Sequence, residues 1–191
     1  MGLPNYITLL RIGLLPVFVV CFYIHYQWAL WLTVGIFAFA ALTDWLDGFL
    51  ARMLKQSSRL GAFLDPVADK LIVAVALVLL VKSSTLPLLE LPAVVIISRE
   101  IVITALREWM AEIGKRASVA VSYVGKIKTA FQLIAILLLL VSRTHLGVKL
   151  PFLEWGGYSL LILAAILTLW TMVMYLRAAW PELVIGTKID N

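Results

Sequence analysis

Two apolar segments with a short polar connection between them decide the fold of this chain: WALWLTVGIFAFAALTDWLDGFLAR at residues 28–52 and PVADKLIVAVALVLLVK at residues 66–82. A helix needs roughly 20 apolar residues to cross the hydrocarbon core of a bilayer, and both segments approach or exceed that length. Because the connection is short, the two helices are expected to be antiparallel neighbours. The pair therefore predicts a helical membrane protein.

The composition of the whole chain agrees with this interpretation. Of the 191 residues, 63% are hydrophobic and 14% are charged, and the mean hydropathy is +1.01. A typical soluble domain has about 45–50% apolar and about 25% charged residues. An ordinary soluble enzyme and a disordered chain are therefore excluded, and the single cysteine, Cys21, excludes a disulfide scaffold. The net charge of +5 is expected to reflect membrane topology and contact with anionic lipid head groups. No nucleic-acid partner is expected.

The hydropathy pattern predicts an all-α integral membrane fold with six transmembrane helices. No linker or internal repeat interrupts the pattern, so residues 1–191 are expected to form a single domain. The six predicted spans are Asn5–Tyr26, Trp28–Arg52, Pro66–Lys82, Leu86–Leu106, Gly125–Val141 and Gly156–Arg177.

The distribution of lysine and arginine predicts the orientation in the membrane. An even number of spans places both termini on one side, and that side carries most of the basic residues near span ends: Arg52, Lys55, Arg59, Arg107, Lys115, Arg116, Lys126 and Lys128. The opposite loops carry only Lys82, Arg143 and Lys149. By the positive-inside rule the richer side is cytoplasmic, so both termini are expected in the cytoplasm.

Four aspartates cluster around the connection between the second and third spans. Asp44 and Asp47 are three residues apart in one span, and Asp65 and Asp69 are four apart at the start of the next. Both spacings put the pair on one face of a helix. An ionised carboxylate inside a membrane helix costs at least about 2.5 kcal/mol, so a compensating cation, a partner such as Arg52 or a raised pKa is needed.

The residue types of this cluster predict which cation it binds. All four ligands are hard carboxylate oxygens, and neither His25 nor His145 lies near them in the sequence. This set favours Mg²⁺ or Mn²⁺ over Zn²⁺, with Ca²⁺ as an alternative. Mg²⁺ is commonly shared between carboxylates and substrate phosphates, so the neighbouring basic loops indicate phosphate or diphosphate chemistry at the cytoplasmic ends of helices 2 and 3.

Two of these residues have simpler interpretations. Asp65 followed by Pro66 also fits a helix start, with the aspartate as N-cap and the proline at the first helical position. Arg52 also fits a basic residue that does no more than set the orientation of the chain in the membrane. Neither interpretation accounts for Asp44, Asp47 and Asp69.

The motif around these aspartates resembles the signature of the CDP-alcohol phosphatidyltransferases. DWLDGFLAR followed by GAFLDPVAD supplies eight fixed positions at the spacing of that signature: Asp44, Asp47, Gly48, Ala51, Arg52, Gly61, Asp65 and Asp69. The resemblance extends to about Arg177. The stretch SREIVITALREWMAEIGKRASVAVSYVGKIKT at residues 98–129 is similar to bacterial family members that use glycerol 3-phosphate.

The resemblance implies a reaction and a setting. CDP-diacylglycerol and sn-glycerol 3-phosphate would give phosphatidylglycerophosphate and CMP. It also implies a homodimer of six-helix subunits in the bacterial cytoplasmic (inner) membrane, in contact with membrane lipid. One or two Mg²⁺ or Mn²⁺ ions would be bound by Asp44, Asp47, Asp65 and Asp69.

The resemblance and the residue chemistry together assign candidate roles. Asp69 is the expected general base for the acceptor hydroxyl. The expected CDP-lipid site comprises Asn5, Thr8, Arg11, Gly48, Ala51, Arg52 and Gly61. The expected acceptor-phosphate site comprises Arg99, Arg107, Lys126 and Lys128, since guanidinium and ammonium groups bind phosphate oxygens.

Several alternatives remain open at this point. Arg99 could form only an ion pair with Glu100, and Lys126 and Lys128 could contact only lipid head groups. The motif does not select the acceptor, so serine or inositol phosphate would fit it as well. A small cation or proton transporter also places carboxylates within a membrane, but it does not predict four acids at one membrane face.

Overall fold

Six helices form the described part of the chain. The structure, a computed structural model, describes residues 3–54, 59–114, 123–143 and 150–186, and no strand occurs within them. The helices are α1 (Leu3–Tyr23), α2 (Gln27–Leu54), α3 (Arg59–Ser83), α4 (Glu90–Glu112), α5 (Tyr123–Ser142) and α6 (Pro151–Gly186). Each predicted span overlaps one of these helices, so the all-helical prediction is confirmed for the described residues.

The start of α3 corrects one interpretation of Asp65. The helix begins at Arg59, so Asp65 lies in its second turn and is not an N-cap. The backbone remains helical through Pro66. A proline inside a helix removes one backbone hydrogen bond, but apolar helices tolerate this when neighbouring groups satisfy the freed carbonyl. The helix-start interpretation of the Asp65–Pro66 pair is therefore wrong.

The start of α4 also differs from the predicted span. The helix begins at Glu90, four residues after the predicted Leu86, because a turn precedes it. Within that turn Leu88 has a φ of 56°, in the left-handed region, which is incompatible with a right-handed α-helix. Pro92 lies in the first turn of α4, where its missing N–H has no intrahelical partner to lose.

Two of the six helices are long and apolar enough to cross a membrane over their described residues. They contain the segments Tyr6–Tyr23 in α1 and Pro151–Pro181 in α6. Shorter apolar segments run from Gln27 to Thr43 in α2 and from Ile127 to Ser142 in α5. The six membrane spans and the cytoplasmic termini stay predictions.

The chain divides into two compact units. The first comprises Met1–Leu86 and Leu133–Tyr158, and the second comprises Pro87–Gln132 and Ser159–Asn191. In the first unit α1 packs against α2 and α3, and α2 also contacts α3. The rings of Phe18 on α1 and Phe37 on α2 are buried with their centroids 6.4 Å apart. The expectation of a single domain stays a prediction.

A close contact between α5 and α6 also stabilises the first unit. A Cβ atom on Gly157 would lie 2.9 Å from the Cγ of Leu139 and 3.1 Å from the carbonyl oxygen of Ala135. Only glycine permits the two backbones to approach this closely. At the neighbouring Gly156, a Cβ atom would meet nothing within 4 Å.

The second unit is built from α4, the beginning of α5 and most of α6. Its apolar cluster contains Ile103, Leu106 and Met110 from α4 with Tyr175 and Ala179 from α6. The α4 residues are three and four positions apart, which is the spacing that places side chains on one helix face. This packing fixes the α4 and α6 faces that carry the polar residues of the unit.

Candidate active site

The four aspartate positions of the motif lie on two helices of the first unit that contact each other. Asp44 and Asp47 belong to the C-terminal part of α2, and Asp65 and Asp69 belong to the N-terminal part of α3. The backbone is helical at all four positions. The predicted helical spacing within each pair is therefore confirmed for the backbone.

The side chains of most motif residues lie outside the described residues. Asp69 is the described exception, and its carboxyl-bearing side chain is half-buried. Only backbone is described for the other predicted ligands and for much of the predicted CDP-lipid site: Asn5, Asp44, Asp47, Gly48, Ala51, Arg52, Gly61 and Asp65. No group of three potential metal ligands occurs among the described side chains, a set that includes one of the four aspartates.

The donor set of the motif fits a hard divalent cation. Four carboxylates on two contacting helices supply oxygen ligands only, which is the set that Mg²⁺ and Mn²⁺ prefer. Mg²⁺ keeps several coordination positions for water and substrate phosphates, so such a set leaves room for a diphosphate. The metal site itself stays a prediction.

Two polar residues of α1 turn into the interior of the first unit. Thr8 and Arg11 are both essentially inaccessible to solvent, and α1 packs against α2 and α3, which carry the aspartates. A buried guanidinium is costly in an apolar environment unless other groups compensate its charge. The burial is compatible with the expected role of Arg11 in the CDP-lipid site, which stays a prediction.

The second unit contains a buried network of charges on α4 and α5. Arg99 Nη1 donates to Glu100 Oε1 at 2.6 Å, and Lys128 Nζ donates to the same oxygen at 3.2 Å. Arg99 is 5% exposed and Lys128 is 2% exposed. The ion pair expected as the alternative for Arg99 is therefore present. The burial of Lys128 argues against a head-group contact for that residue.

Two hydroxyl groups of α6 contact the arginines of α4. Arg99 Nη2 donates to Thr171 Oγ1 at 3.3 Å, and Arg107 Nη2 donates to the hydroxyl oxygen of Tyr175 at 3.2 Å. The ring of Tyr175 also lies near both guanidinium groups, with its centroid 5.9 Å from Arg99 Cζ and 5.1 Å from Arg107 Cζ. Arg99 and Arg107 are thus held by the same helix.

Arg99, Arg107 and Lys128, with the Glu100 carboxylate, form what we call the basic network, and this network can still bind an anion. Arg99 Nε and Arg107 Nε are buried and have no hydrogen-bond partner among the described residues. Among the contacts of the described residues, Arg99, Arg107 and Lys128 carry three positive charges, and Glu100 supplies one negative charge, so these four groups have a net charge of +2. Buried donors without acceptors are costly, and an oxyanion satisfies them with charge-assisted hydrogen bonds.

The structure brings together three of the four predicted acceptor-site residues. Arg99 and Lys128 meet at Glu100, and Arg99 and Arg107 meet at Tyr175. The side chain of Lys126 lies outside the described residues. Thr171 and Tyr175 were not among the residues predicted from the sequence. Their only signal was a pair of polar side chains four residues apart within an apolar helix.

Comparison with known proteins yields a family match over most of the chain. The sequence model of the CDP-alcohol phosphatidyltransferase family matches residues 1–179. This range contains every residue of the motif and of the basic network in the second unit.

Several similar proteins carry the same name, CDP-diacylglycerol--glycerol-3-phosphate 3-phosphatidyltransferase. One from Yersinia enterocolitica is 50% identical over 183 residues, which cover 96% of this chain and 97% of the relative. One from Pseudomonas fluorescens is 53% identical over 186 residues, covering 96% and 92%. One from Salmonella paratyphi A is 51% identical over 182 residues, covering 95% and 97%.

Proposed function

Because this chain belongs to the CDP-alcohol phosphatidyltransferase family, we propose that it transfers the phosphatidyl group of CDP-diacylglycerol to sn-glycerol 3-phosphate. The products are phosphatidylglycerophosphate and CMP. The relatives that share about half of its residues are named for this donor and this acceptor. In the structure, the buried basic network of the second unit supports a phosphorylated acceptor over serine. The names of the relatives support glycerol 3-phosphate over inositol phosphate.

The basic network suits the phosphate of the acceptor. A phosphate monoester carries between one and two negative charges near neutral pH, and the network has a net charge of +2. Arg99 and Arg107 present guanidinium groups, which match the geometry of phosphate oxygens, and Lys128 adds a further ammonium donor. Serine carries no phosphate, so this network gives it no corresponding contact. Lys126 is proposed as a fourth contact on the basis of the sequence alone.

The motif of the first unit binds the CDP-lipid in this proposal. Asp44, Asp47, Asp65 and Asp69 hold one or two Mg²⁺ or Mn²⁺ ions. Bound there, the metal supplies positive charge that offsets the negative charge of the diphosphate and of the departing CMP. The remaining contacts to the nucleotide and diphosphate come from the family positions and the α1 face: Asn5, Thr8, Arg11, Gly48, Ala51, Arg52 and Gly61.

Asp69 acts as the general base in the proposed reaction. Its carboxylate accepts the proton of the primary hydroxyl of glycerol 3-phosphate as that oxygen attacks the phosphorus of the phosphatidyl group. A new oxygen–phosphorus bond forms, and the bond from that phosphorus to the bridging oxygen breaks. The electron pair of the broken bond leaves with CMP. Asp69 is half-buried on α3, the helix that also carries Asp65.

The proposed setting is the bacterial cytoplasmic membrane. Six spans place both termini and the motif on the cytoplasmic side, where CMP and glycerol 3-phosphate are soluble. Large apolar side chains exposed along several helices support contact with lipid, among them Val20 on α1, Ile101 on α4 and Trp170 on α6. The homodimer rests on the family resemblance alone.

The transfer of labelled acceptor into lipid tests this proposal. The purified full-length protein in mixed micelles is supplied with CDP-diacylglycerol, Mg²⁺ and glycerol 3-phosphate labelled in the glycerol carbons. We expect label in the lipid phase, its loss on addition of EDTA, and its recovery with excess Mg²⁺ or Mn²⁺. Label that enters lipid equally well in metal-free buffer would contradict the metal assignment, and no incorporation by folded protein would contradict the reaction.

A further inference from the structure

We propose that Thr171 and Tyr175 on α6 are positioning residues that orient Arg99 and Arg107 toward the phosphate of the acceptor. The inference deepens the proposed function and rests on it. Thr171 and Tyr175 are four residues apart, so both side chains lie on one face of α6. Each accepts a hydrogen bond from a terminal guanidinium nitrogen of one arginine.

The hydrogen-bond pattern at Thr171 fixes its role as an acceptor. Thr171 Oγ1 donates its proton to the carbonyl oxygen of Thr168 at 3.0 Å. A hydroxyl has one proton and two lone pairs, so this bond leaves the lone pairs for Arg99 Nη2. With Nη1 on Glu100 and Nη2 on Thr171, the guanidinium plane of Arg99 is held at two points, and Nε keeps no partner among the described residues.

Tyr175 holds the second arginine and lies close to both positive charges. Its hydroxyl oxygen accepts from Arg107 Nη2, and its ring lies within 6 Å of both guanidinium carbons. An aromatic face attracts cations, which offsets part of the repulsion between two neighbouring arginines. Tyr175 is 6% exposed and packs against Ile103, Leu106 and Met110. Its hydroxyl is therefore fixed in position.

The contacts with α6 should strengthen the binding of phosphate by the two arginines. A long side chain loses conformational entropy when a ligand orders it, and contacts that order it beforehand reduce that loss. Removing either hydroxyl leaves both charges in place and releases the orientation of one guanidinium group. The affinity for the acceptor phosphate should fall, while the affinity for the CDP-lipid should stay the same.

Three hydroxyl deletions test the inference on the full-length enzyme. Thr171→Val and Tyr175→Phe each remove one acceptor and keep the shape of the side chain. Thr168→Val is the matched control, because its hydroxyl is buried on the same helix and has no partner among the described residues. For each variant we would measure kcat, KM for both substrates, inhibition by inorganic phosphate and the apparent melting temperature in detergent.

We expect Thr171→Val and Tyr175→Phe each to raise the KM for glycerol 3-phosphate about 3- to 10-fold, the effect of one net hydrogen bond. The inhibition constant of inorganic phosphate should rise by a similar factor. The KM for CDP-diacylglycerol should match that of Thr168→Val. The melting temperature should fall modestly below that of Thr168→Val, because each variant also leaves a buried guanidinium N–H without its acceptor. If Tyr175→Phe fails to fold, Thr171→Val alone gives the decisive comparison.

Two results would overturn the inference, and Arg99→Lys distinguishes them from failure of the proposed function. Both hydroxyl variants behaving like Thr168→Val, or both KM values rising together, would assign a purely structural role to the α6 hydroxyls. If Arg99→Lys still raises the KM for glycerol 3-phosphate, the acceptor-phosphate site stands and only the positioning role is wrong. An unchanged KM in Arg99→Lys would contradict the acceptor-phosphate site itself.

Discussion

At the scale of single residues, one carboxylate joins two cations in the second unit. Glu100 Oε1 accepts from both Arg99 and Lys128, and both cations are more than nine-tenths buried. Removing one partner of a buried ion pair leaves an uncompensated charge, which is more destabilising than the loss of a surface pair. Glu100 therefore stabilises the second unit by compensating the charges of Arg99 and Lys128.

Glu100→Gln should lower the stability of the protein by about 3 kcal/mol, because two buried cations lose their carboxylate. Thermal unfolding in detergent, followed by tryptophan fluorescence, measures the change. A double-mutant cycle with Lys128→Met provides the control. Lys128→Met should cost less in the Glu100→Gln background than in the wild type, and equal costs in both backgrounds would show that the two groups are not coupled.

Asp69→Asn should reduce kcat at least 100-fold, since an amide cannot take the proton of the acceptor hydroxyl. The melting temperature should change little, because the side chain keeps its size. Glu90→Gln is the comparison variant, since Glu90 is exposed at the start of α4 and belongs to neither substrate site. Asp69→Asn with activity close to that of the Glu90 variant would remove Asp69 from the role of base.

At the scale of helices, the positions of the elements could be predicted and their mutual contacts could not. Apolar segment length predicted six helices, each overlapping an observed one, because length and composition are local properties. The contacts of Arg99 with Thr171 and of Arg107 with Tyr175 join residues 72 and 68 positions apart. No local spacing encodes such pairs, so the contribution of α6 was missed.

The boundaries of α3 and α4 also could not be predicted from local sequence. The turn before α4 depends on the positive φ of Leu88, which a leucine-rich sequence does not indicate. The start of α3 at Arg59 required the helix to continue through Pro66, against the ordinary preference of proline. By contrast, the motif spacing of the aspartates translated directly into helical backbone, because periodicity of three and four residues is a local signal.

The contact between α5 and α6 gives a prediction at this scale. Gly157→Ala should destabilise the protein by about 1–3 kcal/mol, because the new methyl group meets Leu139 and the backbone of Ala135. Gly156→Ala is the matched control. Its methyl group meets nothing within 4 Å, and alanine is favoured over glycine in a helix by about 1 kcal/mol. Equal melting temperatures for the two variants would contradict the close contact.

At the scale of the whole molecule, the proposed topology has both termini and the motif in the cytoplasm. It is testable by cysteine labelling in a background that carries Cys21→Ser. Thr85→Cys lies in the connection between α3 and α4, and Glu112→Cys lies at the end of α4; both positions are exposed. An impermeant maleimide should label the first in intact cells and the second only after permeabilisation. The opposite pattern would invert the topology.

The central claim is that this enzyme uses CDP-diacylglycerol as donor and selects glycerol 3-phosphate as acceptor. The most direct measurement is CMP release by the purified protein with CDP-diacylglycerol and Mg²⁺, run in parallel with glycerol 3-phosphate, serine and inositol phosphate. We predict rapid CMP release with glycerol 3-phosphate and only background release with the other two. Preferential release with serine or inositol phosphate would contradict the acceptor assignment, and no release with any acceptor would contradict the transferase function.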